Sequence, residues 1–417
     1  MLAATAALGG LAQSLAGAAG GLLATDLGGS SAWAGAPQTS LTVGAAAAAV
    51  PLAGLTARAG RATSLAAGCL VAALGCAVVV AFCVLPAQRD AGIALTAVLV
   101  GSALLGAGNT AVMLSRYAGP PLRPALKTAR ALAAVMAAVS IGAVLGPNLL
   151  APAARLTHVL FPGGAPHLVG AYFVGGGVYL LAAGLAARLR RNLPPAPPAL
   201  GPPLPPSPPP LGWVEVGGRR HTLRSFLAGL VTLSLSNLVM VGVMTMAPVE
   251  MRHHGAGLPA IGLVVSAHIA AMFAPAGLSG RLTSRLGAAC AARLAAGVLV
   301  VACLTAAAFS DTALLLAVGM VLLGGGWNLA LVAGSTLLTD GVPEPARPHR
   351  ESLGEIGSGA AAVLGGLGAS LVAGTAGYPT LSLAGAGVSV VLALLVRRPP
   401  GPRTAAPPTR AAKSTAN

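Results

Sequence analysis

Between residues 2 and 396 the chain runs through twelve stretches of about 20 residues or more that are apolar or small throughout and carry almost no charge. A helix of 20 residues rises about 30 Å, the thickness of bilayer hydrocarbon. Within hydrocarbon every backbone N–H and C=O must be satisfied by the protein itself, which leaves helices and closed barrels as the only spanning structures. Barrel strands would read as alternating segments of about ten residues, and the sequence has none of these. The pattern predicts an all-α membrane protein with twelve transmembrane helices at 2–28, 33–55, 62–86, 91–116, 126–151, 166–188, 223–248, 257–280, 286–309, 311–339, 352–374 and 378–396. The opening residues, MLAATAALGG, lack the basic region of a secretory signal and are read as part of a first helix that stays.

Aromatics make up 3% of the chain and glycine supplies 57 residues, so these helices must pack through small residues that let backbones approach. The formal net charge of +16 is not spread over a basic face, because the arginines sit at the ends of apolar runs. Nucleic-acid binding is set aside on that ground. With the N-terminus inside, 22 of the 25 lysines and arginines fall on the cytoplasmic side, and Arg89, Arg155 and Arg252 are left outside. The positive-inside rule then sets both termini in the cytoplasm, in a multi-pass protein of the plasma (cell inner) membrane.

Residues 193–210, LPPAPPALGPPLPPSPPP, cannot continue a helix, since proline lacks the N–H and fixes φ. They divide the chain into a six-helix bundle at 1–189, a proline-rich cytoplasmic linker at 190–221, a second six-helix bundle at 222–396 and a basic disordered cytoplasmic tail at 397–417. The two halves repeat each other. AGLTARAGRA at 53–62 aligns with GRLTSRLGAA at 280–289, each after the second helix of its half, and LLGAGNTA at 104–111 aligns with LLGGGWNLA at 322–330.

On these residues the chain resembles the major facilitator superfamily of secondary transporters. That family's loop between its second and third helices carries Gly-x-Leu-x-Asp-Arg-x-Gly-Arg. Leu55, Arg58, Gly60 and Arg61 match it in the first half, and Gly280, Leu282, Arg285 and Gly287 match it in the second. Ala57 and Ser284 replace the aspartate, so the relay attributed to that acid does not operate unchanged. Anchoring at the membrane surface and a role in gating both fit the remaining arginines. In the fifth span, Gly142, Gly146 and Pro147 match the Gly-x-x-x-Gly-Pro core of the motif associated with the family's antiporters. Ala133 stands in place of an upstream glycine, Leu149 and Leu150 in place of trailing ones, and Ser102 where proton-coupled drug exporters often carry arginine.

The resemblance implies two pseudo-symmetric six-helix bundles around a cavity faced by spans 1, 4, 7 and 10. Those spans carry Gln13, Asn109, Asn237 and Asn328, with Trp327 beside the last. An amide in hydrocarbon needs a partner or a watery cavity, so these residues are read as substrate-binding; bonding between helices, at about 1 kcal/mol each, is the other reading. Proton coupling needs a titratable group. The candidates are His268 in the middle of span 8, Glu355 in the first turn of span 11, Asp26 and Glu250 near outer helix ends, and Asp340 near an inner one. His268 and Glu355 also admit structural readings, as a buried neutral histidine and as a helix N-terminal carboxylate. His253 and His254 follow Glu250, but neighbouring side chains point apart, so no metal site is expected there. Cys69, Cys76 and Cys83 are spaced about 10 Å apart along one helix stripe and are read as packing residues.

HExxH, GxSxG and Walker A patterns are all missing, which argues against an enzyme. The expected activity is proton-coupled efflux of an amphipathic small molecule by alternating access, by a monomer without a cofactor. An uptake symporter of the same fold is the alternative, and a polytopic membrane enzyme or a non-transporting sensor is the alternative from another class. The partners expected are a small-molecule substrate, protons and the lipid bilayer.

Overall fold

A computed structural model describes residues 2–85, 90–114, 125–162, 164–191, 219–342 and 347–396. Residues 192–218 of the expected linker, the expected tail, and the basic residues Arg89, Arg116 and Arg123 lie outside the described residues, whereas 190–191 and 219–221, expected in the linker, are helical. Among those described, the fold is helical with no strand. The helices are α1 (Leu2–Gly28), α2 (Ala36–Ala59), α3 (Arg61–Val84), α4 (Ala91–Leu114), α5 (Ala125–Leu145), α6 (Leu150–Leu160), α7 (Val169–Arg191), α8 (Arg219–His253), α9 (Leu258–Phe273), α10 (Ala276–Leu286), α11 (Ala288–Ala308), α12 (Ala313–Thr339) and α13 (Arg347–Leu395).

Among the described residues these helices supply eleven candidate crossings, or twelve when α13 is divided at its internal break. Ten runs are long and apolar enough to span, and α9 with α10, bent by 42°, forms an eleventh. The bend falls at Pro275, which has no N–H to continue the helical ladder. The 49 residues of α13 are two helices joined across Gly377, whose φ is +83°. That break separates the eleventh span from the twelfth. The fifth span runs past its expected end to Leu160, through a 3-10 turn at Gly146–Leu149 into α6. The seventh runs past residue 248 to His253, because the polar side chains of its last turn find partners there.

The sequence repeat has a backbone counterpart. Gly60 joins α2 to α3 with φ +79° and ψ +165°, and Gly287 joins α10 to α11 with φ +80° and ψ +146°. A side chain at this φ would be strained, so one glycine makes the whole connection in both halves. The exposed Arg58, Arg61 and Arg285 flank these turns. Ser284 donates to the carbonyl of Arg281 at 2.9 Å, a bond within its own turn.

Packing is closest where glycine removes the side chain. A Cβ on Gly44 would run into the Ala103 carbonyl, and Gly75 and Gly101 each sit where a Cβ would strike the other's carbonyl oxygen, at 2.6 and 2.7 Å. In α5, a Cβ on Gly142 would meet the Ala7 carbonyl of α1 and one on Gly146 would meet Ser14 Oγ. Gly297, on α11, faces open space. Gly142→Ala is therefore expected to destabilise the protein by about 1–3 kcal/mol through overpacking. Gly297→Ala is expected to be neutral or stabilising by up to about 1 kcal/mol, since alanine is the better helix residue. Thermal unfolding of the two variants beside the parent in detergent would check both.

Candidate functional site: a polar seam between two sets of six spans

The first six spans (α1–α7) and the last six (α8–α13) meet along α1, α2 and α5 on one side and α8, α9 and α13 on the other. The bonds that join them lie from mid-depth to the end that carries Gly29, Gly255 and Gly377. At that end Arg252 Nη2 pairs with Asp26 Oδ1 at 2.6 Å, and Arg252 Nη1 donates to Asp26 Oδ2 at 3.0 Å. Nη2 also donates to Thr25 Oγ1 at 3.0 Å and to the Leu22 carbonyl at 3.3 Å. The pair is partly exposed, so the ion pair by itself contributes at most about 1 kcal/mol; its fork geometry fixes which faces of α1 and α8 meet.

One turn deeper, the backbone N–H of Gly35 donates to Ser370 Oγ at 2.7 Å. A Cβ on Gly35 would collide with the Gly366 carbonyl, so α2 and α13 cross backbone to backbone. At mid-depth Asn148 Nδ2 donates to Ser266 Oγ of α9 at 2.7 Å. A Cβ on Gly262 of α9 would meet the Pro147 carbonyl there. The Gly142, Gly146 and Pro147 segment thus lies against α1 and against α9 together. At the opposite end the last turns of α2, the body of α10 and the first turns of the eleventh span are largely exposed, with Val50, Leu278 and Ile356 among the uncovered side chains.

The amides occupy the four expected spans, and three of them have side-chain partners among the described residues. Gln13 Oε1 accepts from Tyr179 OH at 2.7 Å, tying α1 to α7. Gly108 of α4 lets the Tyr179 ring approach, since a Cβ there would lie 3.0 Å from it. Asn109 is half-buried, with no side-chain hydrogen bond among the described residues. Asn237 of α8 donates to the Ser358 carbonyl at 2.8 Å and accepts from Trp327 Nε1 at 3.0 Å, bridging the seventh, tenth and eleventh spans. Asn328 is buried and filled on both sides, accepting from Ser279 Oγ at 2.6 Å and donating to the Met272 carbonyl at 2.7 Å.

The titratable candidates are dispersed. His268 is buried in α9, with Nδ1 2.7 Å from the Met320 carbonyl, which makes Nδ1 the protonated nitrogen, and Nε2 has no partner among the described residues. Asp26 is held by Arg252. Glu250 Oε1 lies 3.3 Å from His254 Nε2, and Asp340 accepts from Ser225 Oγ at 3.1 Å. Glu355 is exposed. Sequence reasoning missed Tyr179, Ser358 and Ser370 as partners, and it missed Arg252. For Arg252 a signal existed, because an acid at the end of the first span and a base at the end of the seventh occupy equivalent places in the repeat.

Two repeated sets of six spans, joined along a polar seam and carrying amides on the first, fourth, seventh and tenth spans, define a polytopic membrane transporter. The sequence profile of the Major Facilitator Superfamily matches residues 2–349, and the chain belongs to that family. Two relatives in Bacillus subtilis (strain 168) are the MFS-type transporter YddS, 32% identical over 302 residues (71% of this chain, 67% of the relative), and the MFS-type transporter YdeG, 29% identical over 290 residues (69% and 67%). The fold is shared with a bacterial homolog to the human lysosomal transporter Spinster in an inward-facing, occupied conformation (TM-score 0.67, 14% identity, 95% of this chain and 94% of that one). It is also shared with the nucleoside transporter NupG (TM-score 0.67, 16% identity, 95% and 98%).

Replacing Asn237 with alanine removes the acceptor of the half-buried Trp327 indole N–H and the side-chain donor to the Ser358 carbonyl. The expected cost is about 0.5–1.5 kcal/mol for each hydrogen bond lost. Thermal unfolding, together with a shift in tryptophan emission, would report the change.

Proposed function

We propose that this transporter exports an amphipathic small molecule in exchange for protons, by alternating access between the two sets of six spans. The observation that carries the reading is the location of the Gly142, Gly146 and Pro147 segment on the seam, against α1 of its own half and α9 of the other. Small residues four apart allow helices to slide in close contact, and a proline that interrupts the ladder gives the segment a bend. The resemblance of this segment to the antiporter motif supports export over uptake.

The end closed by Arg252 and Asp26 is the outer one in this reading, and the open end carrying Gly60 and Gly287 faces the cytoplasm. Arg58, Arg61 and Arg285 at that end agree with the positive-inside rule. The arrangement is then inward-facing, in the plasma membrane, with both termini in the cytoplasm and a single copy as the transporting unit. The halves at 1–189 and 222–396 would rock about the seam. Gln13, Asn109, Asn237 and Trp327, all half-buried, would line the substrate path, and Asn328 would hold α10 to α12 behind them. His268 is the first coupling candidate, because its unpartnered Nε2 can accept a proton, and Glu355, exposed in the eleventh span near the open end, is the second.

Reconstituted vesicles with an acidic lumen test this reading. Addition of amphipathic compounds is expected to release lumenal protons, read with a pH-sensitive dye, and His268→Ala or Glu355→Gln is expected to flatten the pH dependence. Unaltered pH behaviour in both variants would remove these coupling residues. Saturable uptake that grows with an inward proton gradient would replace export with symport.

A further inference from the structure

We propose that the last turn of α8 is a binding site for a zinc-type divalent cation, built from Glu250, His253 and His254. Glu250 and His253 lie in the last turn of α8, and His254, one residue past its end, continues the ladder by donating its N–H to the Glu250 carbonyl at 3.1 Å, so the three stand at i, i+3 and i+4 on one face. Their ligand atoms all lie within 4.8 Å of one another. A tetrahedral zinc ion bound at about 2.0–2.1 Å requires ligand atoms about 3.3 Å apart. Glu250 Oε1 and His254 Nε2 already stand 3.3 Å apart. His253, exposed and free to rotate, has only to swing inward, and its ring stands at 74° to that of His254, with centroids 5.4 Å apart.

The surroundings favour a cation. The turn is the C-terminus of a 35-residue helix, where the aligned peptide dipoles place negative potential. A cavity of about 130 Å³ opens beside His254, with Ser310 and Asp311 on its wall. It leaves room for a water as fourth ligand, next to a second carboxylate. Arg252, the one cation of this turn, does not compete. It is two residues from both Glu250 and His254, so it points off the opposite side of the helix, where Asp26 holds it. Two imidazoles, a carboxylate and a water suit zinc better than magnesium or calcium, which take oxygen ligands.

The site lies outside the seam, and its occupant is a bound ligand of the protein, independent of any exported compound. Metal would replace the Glu250–His254 contact with coordination bonds and stiffen the turn that presents Arg252 to Asp26.

The test uses the full-length protein in detergent, with any polyhistidine tag removed, titrated with Co²⁺ and then Zn²⁺. One cobalt per chain is expected, with the visible bands of a tetrahedral ion and no thiolate charge-transfer band, displaced by zinc. His253→Ala, His254→Ala and Glu250→Gln are each expected to weaken binding about tenfold or more. A His158→Ala, His167→Ala double variant, which removes the other close imidazole pair (centroids 4.6 Å apart), is expected to bind as the parent does. Metal-free unfolding of each variant would verify that it is folded. No cobalt uptake by the parent, or an unchanged affinity and spectrum in a His253→Ala, His254→Ala double variant, would overturn the proposal. Neither result depends on transport, so this site and the export reading fail separately.

Discussion

Close backbone contact between helices is the constraint on which the whole structure depends. In a bilayer the lipid tails are as apolar as leucine, so burying apolar surface does little to hold one helix against another. What remains is dispersion between surfaces that fit, and a few polar bonds. This chain meets the requirement with glycine and alanine at the crossings. Gly75 against Gly101 joins α3 to α4, and Gly142 against Ala7 joins α5 to α1. Gly35 against Gly366 joins the two halves. Polar side chains then fix the relative rotation of the packed helices, as Tyr179 does for Gln13 and Ser279 for Asn328.

Much of this was legible in the sequence because hydrocarbon permits so few structures. Run length alone predicts twelve crossings, and the paired Leu-Thr-x-Arg-x-Gly turns reveal the repeat before any coordinates. The breaks inside spans were harder to read. Gly146-Pro147 and Pro275 interrupt hydrogen bonding within runs that stay apolar, so hydropathy shows no edge at either. Helix ends were misjudged where polar residues continue a helix, as they do from Glu250 to His253. That shortening hid the fact that Glu250 and His254 are one helical turn apart. Partner choice was the least legible feature: the sequence gives Asn237 a depth, but only packing decides that it meets both Trp327 and the carbonyl of Ser358.

The two ends of the molecule are built from different chemistry. One is closed by main-chain crossings and by a single forked ion pair, Arg252 with Asp26. The other presents single-glycine turns flanked by solvated arginines, with α2 and α10 largely uncovered. A family fold with an inside and an outside needs this inequality. The repeat supplies two similar halves, and the non-repeated residues, such as Arg252, Ser370 and Asn148, decide which end holds them together.

The crossing of α2 and α13 carries a consequence for how the molecule opens. Ser370 Oγ both accepts from the Gly35 N–H and donates to the carbonyl of Gly366 in its own helix. When the helices part, Ser370 keeps its intrahelical bond and Gly35 loses its acceptor. A bare amide in an apolar crevice is costly, so water must enter as the helices separate. Hydration of one peptide group is thereby built into the opening stroke, and the barrier to that stroke includes wetting a dry crevice.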